Sequence, residues 1–206
     1  MNPIAPPSSN PRRSMLAGLA SVAAMLPLGA GAATAVPART GPGVLTVSGA
    51  IARGNRGPFD PALDQLLKKH AVRFDAAYEF DSAMLARLPA VMIQPTLEYD
   101  GRVHKLAGPT LASVVEAAGV PANGNVLLGL RAIDGYVVIV SLADARSSYR
   151  MLVATTIDDV PLALGGLGPQ WAVYDADRLP AFKDKPLAER FALCPWGLYS
   201  IEVKVA

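Results

Sequence analysis

The sequence is short of the residues that staple small domains together or hold metals. Of its 206 residues only one is cysteine, Cys194, so no internal disulfide can form and the fold must rest on its core. There are two histidines, His70 and His104, and no cluster of Cys, His and carboxylates has metal-ligand spacing. No Walker motif is present, there is no Gly-x-Ser-x-Gly elbow, and neither histidine has a Ser or Cys partner nearby in sequence. Runs of Lys and Arg, repeats and low-complexity tracts are also missing. Together these absences exclude a zinc module, a phosphate-loop NTPase and a serine hydrolase of the common kind. Residue chemistry alone nominates no enzyme.

Acidic residues are missing from the whole front end; the first is Asp60. What stands there instead is a three-part export signal. Arg12 and Arg13 supply the charge, Met15 to about Ala33 an apolar stretch, and Ala33-Thr34-Ala35 a small-residue cleavage site. The run Pro11-Arg-Arg-Ser-Met-Leu16 also resembles a twin-arginine signal, and both that route and the general secretory route remain open. Pro27 and the nearby glycines favour cleavage over a permanent anchor, which needs ~20 unbroken apolar residues. The expected organisation is a signal peptide over 1–35, a Pro/Gly-rich linker over 36–43 and one domain over 44–206, located in the periplasm with no membrane span after cleavage. Arg12 and Arg13 are two of the 19 basic residues, leaving 17 against 17 acidic ones. A balanced domain without a basic stripe is not expected to bind nucleic acid.

The domain reads as α+β with mostly antiparallel or mixed sheets and a few helices. Val44–Ile51, Ala90–Tyr99, Arg102–Leu106, Val126–Ala132, Tyr136–Ser141, Arg150–Ile157, Gln170–Tyr174 and Tyr199–Val205 are expected strands, with Tyr78–Phe80 a short extended piece. Asp100-Gly101, Asp134-Gly135 and Asp158-Asp159 are expected turns. Helical spacing marks Asp81–Leu88 with Asp81 as N-cap, Thr110–Ala118 ended by Gly119, and a short Ala143–Tyr149 segment. Asp60–Phe74 fits a helix or an inserted loop. Gly165-Gly-Leu-Gly168 is read as a structural turn, because Pro169 and a Trp-Ala-Val-Tyr strand follow where a nucleotide loop requires a helix.

Several segments, taken in order, resemble the sulfite oxidase-like, molybdopterin-binding domain family, and most closely its small exported members. These are Leu45-Thr-Val-Ser-Gly49; Phe80-Asp-Ser-Ala-Met-Leu-Ala-Arg-Leu-Pro89; the set Thr96, Asp100, Gly101, His104, Gly108 and Leu111; Gly135-Tyr-Val-Val138; Gly168-Pro-Gln-Trp-Ala-Val-Tyr174; and Trp196-Gly-Leu-Tyr-Ser-Ile-Glu-Val203. The family's enzymes are oxidoreductases that hold molybdenum through one cysteine thiolate at the start of the region occupied here by Ile93–Tyr99, where this chain has none. The resemblance therefore implies a sulfite oxidase-like fold without molybdenum chemistry. It also implies a pterin-like small-molecule ligand bound by a non-catalytic module, with an inner-membrane sensor or signalling protein as partner. The alternative is a molybdopterin-dependent oxidoreductase.

A pterin is a flat polar bicycle that needs aromatic faces and edge donors or acceptors. Tyr99, Trp171, Tyr174 and Trp196 are the aromatic candidates, and Thr96 and Arg131 the polar ones. Trp171 alternates with Val173 along a strand, so a core role stands beside a pocket role; Arg131 fits a surface strand position equally well. Cys194 reads as a small buried hydrophobe. Relatives often carry Trp where Glu98 stands and a basic residue where Leu167 stands, so this chain has exchanged an aromatic platform and a positive charge.

Overall fold

The computed structural model describes residues 39–121 and 124–205. The expected signal peptide lies outside the described residues. A five-stranded sheet of order β2-β1-β11-β5-β6 organises the domain, from β1 (Leu45–Gly49), β2 (Ala77–Phe80), β5 (Val126–Ala132), β6 (Val137–Ser141) and β11 (Leu198–Val205). The last strand enters parallel to β1 and antiparallel to β5, which makes the sheet mixed. Period-two alternation explains its faces: Val126, Leu128, Leu130 and Ala132 are buried while Leu127 is exposed.

A second sheet has the order β3-β4-β8-β9, from β3 (Ala90–Ile93), β4 (Leu106–Pro109), β8 (Thr156–Ile157) and β9 (Val160–Pro161). β7 (Leu152–Ala154) pairs with β10 (Trp171–Val173). Asp158 and Asp159, at φ 48° and 66°, form the two-residue hairpin between β8 and β9, as a primed turn requires. The Arg150–Ile157 stretch is thus not one strand but two, which pair with different partners. Gly108 lies where these layers meet: a Cβ there would stand 2.0 Å from the Val153 carbonyl oxygen, so only glycine lets β4 approach so closely.

Helix α2 (Ser82–Ala86) is capped by Asp81, whose carboxylate accepts from the Met84 N–H. The same carboxylate accepts from the N–H groups of Thr40 and Gly41, and these bonds pull its pKa down to about 2. Arg39 pairs with Glu79. Residues 39–43, expected to be a free linker, are therefore exposed but tied to the edge of the domain. Helix α3 (Leu111–Ala117) buries Leu111, Val114 and Val115, is capped by the Thr110 hydroxyl, and is followed by Gly119 at φ +81°.

Three other expectations need correction. Asp60–Phe74 forms only a five-residue helix, α1 (Gln65–Lys69); Leu67 is buried, but Leu63 and Leu66 are exposed. Asp60 Oδ1 caps the preceding turn and Ala71, at φ 57°, ends the helix. The Ala90–Tyr99 strand stops at Ile93, because Pro95 has no N–H to give to a ladder. Its return strand is Leu106–Pro109 rather than Arg102–Leu106, with a single bridge, Thr96 to Val103, near the turn. Finally, Asp144–Ser148 is a π-helical turn instead of an α-helix. The Gly165–Gly168 loop is structural: a Cβ on Gly168 would lie 2.5 Å from the Leu162 carbonyl oxygen, and β10, not a helix, follows.

The largest fully buried side chain is Trp171. Its ring sits 5.8 Å from Phe191, and Tyr174 stacks on Phe182 at 4.6 Å and 16°. Trp171→Ala is expected to lower unfolding free energy by about 3–5 kcal/mol through lost burial and the cavity left behind. Urea denaturation checks this as a fall in midpoint at unchanged slope.

Candidate functional site

Three loops converge on a hollow of about 190 Å³. The turn following β3 carries Glu98 and Tyr99, the β5–β6 turn carries Asp134 and Tyr136, and the segment entering β11 carries Pro195 and Trp196. Each loop is held from below. Trp171 donates its indole N–H to the Cys194 carbonyl at 2.8 Å and bridges to Trp196 through the backbone. Tyr136 donates its hydroxyl to the Ala192 carbonyl at 2.7 Å. Tyr99 packs 6.3 Å from Trp171 while leaving 55% of its own surface open. The Tyr99 hydroxyl is pushed up to about 12, first by desolvation and then by Glu98.

The turn carrying Tyr99 is fastened by His104. Its Nδ1 lies 2.7 Å from Asp158 and its Nε2 3.0 Å from Asp100. Asp158 also accepts from the Lys105 N–H at 2.9 Å, and Lys105 pairs with Asp159. These contacts raise the His104 pKa, Asp158 first and Asp100 second, and lower both carboxylates. The Asp100-Gly101-His104 pattern thus closes a hairpin onto the β8–β9 turn.

The six candidate residues do not converge. Tyr99 and Trp196 line the hollow, with Trp196 38% exposed. Trp171 lies beneath it, fully buried. Tyr174 is also fully buried, its hydroxyl donated to the Arg190 carbonyl at 2.8 Å and its pKa raised by burial. Thr96 spends both its N–H and its hydroxyl on Asp177, at 2.7 and 2.8 Å, and Asp177 in turn receives Arg190. Arg131 stands in β5 near His70 and Tyr199; burial first and then the Arg131 charge hold the His70 pKa below its usual value. Sequence reasoning missed Glu98, Asp134 and Tyr136 as lining residues. The signal was present, since Asp134 and Tyr136 flank Gly135 in the matched segment and Glu98 was the substituted aromatic position.

The hollow does not fit a molybdopterin. The segment Ile93–Tyr99 offers no thiolate, and Cys194 is 4% exposed with its thiol pushed up by burial, the opposite of a metal-ligating cysteine. The described residues lining the hollow include two carboxylates and no Lys, Arg or His, a setting that repels a phosphate. No group of three or more His, Cys, Asp and Glu among the described residues is placed to hold a metal. None of the described helices is long and apolar enough to cross a membrane.

No family model and no curated protein matches the chain. Among solved structures, the chain is similar to the sulfane dehydrogenase SoxCD from Paracoccus pantotrophus, at 11% identity and a TM-score of 0.48. The match covers 79% of this chain and spans 38% of that one. A likeness this distant carries no argument about chemistry, so the functional reading rests on the residues themselves.

The His104 cluster makes stability depend on pH in a definite direction. His104 has a folded pKa above its usual 6.5, so its contribution is complete below about pH 6.5 and is lost as pH rises through the folded value. Asp100 and Asp158 have folded pKa values below 3.8, so theirs is complete above about pH 4 and is lost as pH falls through the lowered values. The wild-type urea midpoint should therefore decline between pH 6 and 8, and His104→Gln should flatten that decline. Parallel declines in the two proteins over that range would refute the assignment.

Proposed function

We propose that the chain is an exported, non-catalytic binding module whose hollow takes a neutral pterin-like bicycle. The observation that carries this is the pairing of open aromatic faces, Tyr99 and Trp196, with Glu98 and Asp134 in a hollow free of basic lining residues. Glu98 has no ion-pair partner among the described residues, and a carboxylate without a cation accepts N–H donors. The amino and ring N–H edge of a pterin presents such donors side by side, and its flat face stacks on an indole or phenol. At about 190 Å³ the hollow is below the ~300 Å³ of pockets that take drug-sized ligands, so it suits a single ring system.

The same features set the ligand's charge. Two carboxylates favour a neutral or weakly cationic ring over a phosphorylated one, which separates this reading from a molybdopterin oxidoreductase. Recognition rather than turnover is the role proposed, and the thiol in the lining, Cys194, is 4% exposed with its pKa raised by burial. The expected export signal supports a periplasmic location for that recognition, with an inner-membrane sensor or signalling protein proposed as the partner that transmits it.

Titration of the protein with neutral reduced and oxidised pterins, followed by tryptophan fluorescence, tests the reading. One-to-one saturation is expected, weakened roughly tenfold by Trp196→Ala and by Glu98→Gln, each about the loss of one stacking or charge-assisted contact. Flat titrations with all of them would sink it.

A further inference from the structure

A second cavity, larger than the first, lies between β3, the π-helical turn and the segment after β10. It encloses about 610 Å³, within the ~300–1,000 Å³ of small-molecule sites, and shares no lining residue with the hollow. Its walls combine two features rarely left open to water side by side. Val91 and Met92 on β3 are 39% and 59% exposed and lie beside Met151, Leu179 and the Tyr149 ring. Around this apolar surface stand three guanidinium groups, those of Arg146, Arg150 and Arg178.

The arginines are placed differently. Arg178 reaches Asp175 Oδ2 at 3.3 Å and is 81% exposed along its side chain. Arg146 holds Glu116. Arg150 makes no side-chain hydrogen bond or ion pair among the described residues, yet it sits at φ 49°, a left-handed conformation that suits glycine and is uncommon for a long side chain. It directly follows the π-helical turn, whose closing bond runs from the Tyr149 N–H to the Asp144 carbonyl at 2.8 Å. π-Turns and strained residues collect at functional sites. Asp175, also in the wall, has its Oδ1 buried without a hydrogen-bond partner. Arg150 and Arg178 against the single carboxylate in the lining, Asp175, leave that side of the rim net positive.

We infer that this cleft binds a small organic anion, a phosphate or carboxylate carried on an apolar body. Arg150 and Arg178 receive the charged group, and the open Val91 and Met92 receive the body. The site is independent of the hollow: one takes a neutral donor-rich ring, the other an anion.

Fluorescence titration of the full protein with 1-naphthyl phosphate tests this, with 1-naphthol and inorganic phosphate as single-feature controls. One-to-one saturation is expected for 1-naphthyl phosphate alone. Arg150→Gly combined with Arg178→Gln should weaken it by roughly tenfold or more. Glycine suits the left-handed backbone at position 150, so Arg150→Gly alone should keep or raise the urea midpoint while still weakening binding. Three results overturn the proposal: no saturation, equal binding of inorganic phosphate, or affinity unchanged in folded Arg150→Gly. Binding that is lost in Trp196→Ala but kept in the double variant would move the probe to the hollow and overturn it as well.

Discussion

The hydrogen bond from the Trp171 indole to the Cys194 carbonyl is the contact on which the functional side of the domain depends. It joins a fully buried ring in β10 to the loop that presents Trp196, two residues farther on. The ring also backs Tyr99 and contacts Phe191, so two of the hollow's aromatic walls rest on it. A buried indole N–H without an acceptor would be costly, which keeps the loop and the strand in one relative position. The adjacent Gln170 extends the same tie, donating its side-chain amide to the carbonyls of Val44 and Leu198, which stand side by side where the parallel neighbours β1 and β11 begin.

Charge is sorted between the two cavities although the chain past residue 35 is balanced overall. Glu98 and Asp134 give the hollow an acidic wall, while Arg146, Arg150 and Arg178 give the cleft a basic rim. The balance hides this sorting, since net charge says nothing about where each sign is placed. The ion pairs elsewhere, such as Arg56 with Asp64 and Glu79, fasten loops to the sheet edge instead of opening onto a cavity.

Much of the fold was legible because its signals are local. The cap at Asp81, the Thr110–Gly119 helix and the β5–β6 alternation each depend on neighbours a few residues away, and each was read within a residue or two. The failures came where distant contacts decided. Periodicity over Asp60–Phe74 matched a helix, but no core lies beneath Leu63 and Leu66. The break inside Arg150–Ile157 arises because β4 and β10 compete for the same stretch of chain. In the candidate site, Tyr99 and Trp196 were found, while Tyr136 and the carboxylates were not. A ring is conspicuous in a composition poor in rings, whereas Glu98 and Asp134 look like any surface acids until the loops meet.

By itself the sequence determined the α+β class, the turns, most strands, the absence of an internal disulfide and the lack of any cysteine over Ile93–Tyr99. These follow from residue type and spacing. Only the tertiary structure decided which rings face solvent. Trp171 and Trp196 are equally plausible stacking platforms as letters, yet one is sealed under the sheet and the other is open. The physical reason is that burial is a property of packing between segments far apart in the chain, and no local pattern around either tryptophan encodes it.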